Sequence, residues 1–124
     1  MAGALDHAKA HFSSLDRQRI DVPEWGAPGK PLIIYWTPAT MQERRNIFKT
    51  DEEGRAPDGG MVYVRALLQK AQGENGKRLF DGVTDEADLL HKVDPMVVER
   101  VGMAILNLKQ DGSERQTVDT EKNG

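Results

Sequence analysis

Residues 19–37, RIDVPEWGAPGKPLIIYWT, constrain the fold more than any other stretch of the chain. Two short runs of strand-favouring residues flank a turn rich in Gly, Pro and Lys. Leu32–Trp36 is branched and aromatic, and such side chains suit a pleated, half-buried surface. In the first run Ile20 and Val22 alternate with Asp21. Pro23 has no N–H to give to a ladder, which predicts either a sheet edge or the end of the strand at that point. The simplest pairing is an antiparallel β-hairpin whose loop, Gly26–Lys30, is about five residues long. The stretch carries no catalytic constellation, a first indication of a binding protein.

Around this hairpin the chain reads as helical. Thr37-Pro38 opens a helix, with Thr40 and Glu43, spaced as a capping box, as a second possible start; Met41, Arg44, Ile47 and Phe48 follow at helical spacing. The stretch DEEGRAPDGG (51–60) is a solvated loop by composition. Met61, Val64, Leu67, Leu68 and Ala71 resume the helical period, although Val62–Val64 also suits an extended start. Asn75-Gly76 signals a turn, and Lys77–Phe80 is short and extended at best. Thr84 or Asp85 caps a helix through Leu90, and Asp94-Pro95 starts a last one by the pattern of cap plus first-turn proline. Its apolar residues Val97, Val98, Val101, Ala104, Ile105 and Leu108 give the clearest helical period of the chain. Gly102 inside that helix costs roughly 1 kcal/mol against Ala, a cost that close approach of another backbone would explain.

The predicted class is therefore α+β: one small domain with an N-terminal antiparallel β-hairpin, then three to four helices, and loose termini. The 124 residues suffice for one domain. Residues 1–15 are expected to be mobile or helical, and 16–108 to form the globular unit. In 109–124 Val118 is the only aliphatic residue, so that polar tail is expected to be disordered. Trp25, Trp36, Phe48 and Phe80 are the expected aromatic anchors of the fold.

Chemistry is scarce. The absence of cysteine removes disulfides, thiolate zinc sites and cysteine nucleophiles. His7 and His11 would share a helix face but lack a third ligand, and His91 suits a helix C-terminus. Asp51, Glu52 and Glu53 lack the alternating pattern of a calcium loop. Asp58-Gly59-Gly60 precedes a helix whose N-terminus could take an anion, yet no phosphate-loop or dinucleotide motif accompanies it. Arg17, Arg19, Arg44 and Arg45, with Trp25, Tyr35 and Trp36, offer a basic and aromatic set. Neighbouring acidic residues dilute it, and the net charge is −3. No apolar run approaches membrane-spanning length. The expectations are no enzyme, no cofactor or metal, and neither nucleic acid nor membrane as partner.

What remains is apolar surface on the last helix. Met96, Val97, Val101, Ile105 and Leu108 are the candidate partner-binding residues, in a helix-in-groove mode. The alternative is that this face is core or a contact between copies of the chain.

The order of motifs resembles the tail assembly chaperones of long-tailed, siphovirus-type phages and prophages. The matching positions are Pro23-Glu24-Trp25-Gly26, Thr40–Arg44, Glu74–Phe80, Leu89-Leu90 and Ala104–Leu108, spanning about residues 16–108. The resemblance implies a non-enzymatic chaperone of the host cytoplasm, absent from the mature virion. It would bind the tape-measure protein, with the tail tube subunit as a further partner. The alternative is a head–tail or tail component retained in the particle.

Overall fold

The computed structural model describes residues 3–108; the tail predicted for 109–124 lies outside them. Helix α1 (Ala4–Ser13) leads into strands β1 (Gln18–Ala27) and β2 (Lys30–Trp36). Four helices follow: α2 (Met41–Phe48), α3 (Gly59–Lys70), α4 (Glu86–His91) and α5 (Pro95–Leu106). The expected hairpin followed by helices is thus present. No described helix is long and apolar enough to cross a membrane.

The hairpin differs from the expected one in its turn. Its turn is only Pro28-Gly29, because Ala27 pairs with Lys30. Proline presets the first central position and Gly29, at φ +76°, takes the left-handed second one. As for Pro23, the first of the two expected outcomes holds: β1 continues through it as an edge strand of the two-stranded sheet. The register is regular from Gln18↔Trp36 to Val22↔Leu32, then shifts before Ala27↔Lys30. Pro23 falls inside this bulge, where no ladder N–H is required, so its missing donor costs nothing.

Alternation sends Ile20, Val22, Ile34 and Trp36 toward the helices and leaves Arg19, Asp21 and Tyr35 on the other face. The far edge of β2 is closed by a segment that the sequence did not announce. Tyr35 and Gln72 exchange both backbone hydrogen bonds (2.9 and 2.8 Å), and Leu79 N–H donates to Ala71 at 3.0 Å. The Asn75-Gly76 turn makes this return possible, with Gly76 at φ +84°.

The core lies between the hairpin and the α3–α5 pair, around Val22, Ile34, Ile47, Leu67, Val97 and Val101. Gly102 is where α5 meets α3 most closely. A Cβ built on it would stand 2.6 Å from Tyr63 Cβ and 2.9 Å from Tyr63 Cα, so only glycine permits this crossing.

The helix ends follow the caps. Thr40 and Glu43 form the capping box of α2 (3.1 and 2.9 Å), and Asp94 accepts from Met96 N–H at 2.9 Å to start α5. The carbonyls of Ile47 and Lys49 at the end of α2 accept from Arg65 Nη1 at 2.9 and 2.7 Å. Asn107, at φ +62°, ends α5, with Leu108 N–H reaching Met103 O at 2.8 Å.

Candidate functional site

The sequence motifs mostly build the scaffold. Within Pro23–Gly26, Glu24 crosses from the bulge to α5 and pairs with Arg100 through two bonds of 2.9 and 2.7 Å. The hydrogen bonds from Arg100, one from its own backbone and the Arg100 charge hold its carboxyl down at about 2, far below the usual range. Trp25 meets Phe80 edge to face, with ring centroids 6.1 Å apart. Asp81 then fastens the following turn by accepting from Val83 and Thr84 N–H (2.8 and 2.9 Å), which lowers its own pKa.

Of the four expected anchors, Trp36 is buried, and Trp25 and Phe80 pack against the core. Phe48 is a correction. It is 43% exposed, with the Arg44 guanidinium 5.8 Å from its ring centroid. Ile47, one residue earlier, points inward in its place, because α2 is a single short helix with room for one core position.

The last helix carries the main correction. Val97, Val101 and Ile105, expected to contact a partner, are buried in the chain's own core. The physical reason is that α5 must cover α3 on one flank and the hairpin on another, so its broad apolar stripe is consumed internally. Met96 and Leu108 do reach the surface, Met96 being 71% exposed and Leu108 half-buried.

Met96 and Glu99 lie between two shallow apolar grooves. One, of about 350 Å³, runs between α3, α4 and α5 and is lined by Tyr63, Leu90 and Val98 among others. The other, of about 420 Å³, runs between α5 and β1 along Ile20, Met103, Ala104 and Leu108, with the Glu24–Arg100 pair at its edge. The sequence contains this second stripe: Met96, Glu99, Arg100 and Met103 recur at i, i+3, i+4 and i+7. Periodicity alone favours the valine stripe over it, because that stripe is more hydrophobic and longer. A third hollow, of about 310 Å³, lies over Trp25, Leu32, Phe80, Leu89 and Val93.

The residues with chemical potential are dispersed. His7 and His11 stand on an exposed helix and His91 at the end of α4. No group of three or more His, Cys, Asp or Glu is gathered for a metal among the described residues. Asp51 is bound by Arg55 and by the backbone of its own loop (2.9–3.0 Å). Asp58 fills the N-terminus of α3 that an anion would need, accepting from Met61 N–H at 2.8 Å. Tyr35 is covered by Arg17, whose guanidinium lies 4.1 Å from the ring centroid. The surface around Met96, exposed between two grooves, is the candidate site. Compared with protein-family models, curated proteins and solved structures, the chain matches none.

Proposed function

We propose that this protein is a tail assembly chaperone of a long-tailed phage or prophage. It would hold amphipathic helical stretches of the tape-measure protein in the host cytoplasm until the tail tube covers them. The single observation that carries the reading is the exposed Met96 ridge between two apolar grooves, in a domain whose motifs run in the order of that family. Methionine side chains adapt to varied apolar surfaces, which suits a client presenting many similar helical faces. An amphipathic helix laid in either groove would bury its apolar side against Met96. Nothing in this mode requires bond chemistry, a metal or a cofactor.

The test is co-expression with the tape-measure protein of the same phage. The expected result is that the tape-measure protein becomes soluble and co-purifies with the chain. Met96→Asp should abolish capture while far-ultraviolet circular dichroism and the melting temperature stay unchanged, because Met96 contributes little to the core. A tape-measure protein that remains insoluble and unbound would overturn the proposal. Stoichiometric recovery of the chain from purified virions would replace it with the retained structural component.

A further inference from the structure

Strand β1 forms one edge of the two-stranded sheet. The other edge, along β2, is closed where Tyr35 and Gln72 exchange both backbone hydrogen bonds. That exchange fixes the phase of the ladder. In an antiparallel pair the N–H and C=O of one residue point to the same side, and the side alternates along the strand. Tyr35 uses both groups on Gln72, so Arg19, which lies opposite it, turns both of its own away from β2. Asp21, two residues on, does the same. No strand or loop among the described residues pairs with these four groups. The open stretch ends at Pro23, which has no N–H to offer.

An open edge is a template for a further strand, and monomeric proteins commonly guard it with charge. Here the charges are self-complementary. Arg19 and Asp21 are both exposed, and neither has an ion-pair partner among the described residues. Two β1 strands joined antiparallel about a two-fold axis at Ile20 set Arg19 of each copy opposite Asp21 of the other. Both residues direct their backbone groups outward, so four backbone bonds and two unlike-charge pairs form together. The neighbouring registers fail. A two-residue slip one way sets Arg19 opposite Arg19. The other way it sets Asp21 opposite Asp21 and Arg19 opposite Pro23. A one-residue slip aims these groups at Ile20, whose own are already used on Ile34.

The inner face agrees. Ile20 meets its counterpart on the axis as a non-hydrogen-bonded pair, the closer kind, with Cα atoms about 4.5 Å apart. The groove of about 420 Å³ that Ile20 borders is lined by β1 and α5 and by no residue of β2, so it opens at this same edge. A two-fold axis normal to the sheet keeps both α5 helices on one face, and the two grooves adjoin over the Ile20 pair. With β2 closed by Gln72, the pairing stops at two copies.

We infer that two copies of this chain pair through the outer edge of β1, antiparallel and centred on Ile20, into a continuous four-stranded sheet. This rests on backbone phase and charge along β1, independently of the tape-measure reading.

Sedimentation equilibrium of the full chain and of charge variants tests it. The wild type should pass from monomer toward dimer as its concentration rises through the micromolar range, because the ladder is short. Arg19→Asp sets like charges opposite each other twice per dimer, and so does Asp21→Arg. Each should weaken self-association at least ~10-fold. Mixed in equal amounts, the two variants should recover wild-type affinity as a heterodimer, in which every opposite pair again joins unlike charges. Misfolded chains would not rescue one another in this way. In this cysteine-free sequence, Ile20→Cys should give a disulfide-linked dimer under mild oxidation, whereas Ile33→Cys, on β2, should not. A wild type still monomeric at about 1 mM would overturn the inference. So would single variants that associate as the wild type does, a mixture of cooperatively melting variants that does not recover, or equal cross-linking at positions 20 and 33.

Discussion

At the residue scale the fold turns on two positions where burial and bonding compete. Lys70 is 3% exposed, and its Nζ donates to Glu43 Oε1 at 2.8 Å and Thr37 Oγ1 at 3.2 Å. The same Oε1 accepts from Thr40 N–H, so one carboxylate oxygen joins the start of α2 to the end of α3. Burial pushes the Glu43 carboxyl up, but the hydrogen bonds from Lys70 and Thr40 and the Lys70 charge outweigh it, and its pKa lies below the ordinary value. The folded pKa is depressed, so the contribution is full above the unfolded value of about 4.3 and is lost as pH falls through the folded one. Glu43→Gln should cost about 2–3 kcal/mol in urea denaturation at pH 7, chiefly by leaving Lys70 buried without its counter-charge. The gap to wild type should close as the pH is lowered through that window. Gly102 presents the opposite conflict. Alanine there would gain up to about 1 kcal/mol of helix propensity, yet its Cβ would overlap Tyr63, and overpacking costs up to about 3. Gly102→Ala should therefore destabilise by about 2 kcal/mol, measured by the same denaturation.

At the element scale, what was legible in the sequence was whatever local chemistry decides. Thr40 with Glu43 and Asp94 with Pro95 marked two helix starts, because a cap is satisfied within three residues. Gly102 announced a close crossing because glycine is disfavoured in a helix unless space requires it. The return of Gln72 to the edge of β2 was not legible, since that bridge forms across 37 residues and carries no pattern of its own. The candidate site was half legible. Met96 and Leu108 were found, but periodicity cannot say which of two stripes on α5 faces inward, so Val97, Val101 and Ile105 were assigned outward. Phe48 failed for a similar reason, being one residue off the inward position of Ile47 on a two-turn helix. The two aromatics should now behave differently. Trp36→Ala should cost about 3–5 kcal/mol, whereas Phe48→Ala should stay within about 1, as followed by thermal melting.

At the scale of the whole molecule, the chain divides into a domain that needs every apolar residue it buries and an appendage that needs none. The hairpin and the α3–α5 pair use Val22, Ile34, Trp36, Leu67 and the α5 valines on one another. The Glu24–Arg100 pair joins them across the surface, where water screens its energy. Helix α1 adds no buried side chain, and its nearest fixed point in the domain is the clamp of Arg17 on Tyr35 and Glu74. Removing residues 1–14 spares that clamp and the whole core. Unfolding free energy depends on the surface exposed on unfolding, and α1 exposes almost as much folded as unfolded. The truncated chain should therefore melt cooperatively within about 2 °C of the full-length chain in calorimetry. A loss of more than about 5 °C would mean that α1 is part of the domain after all.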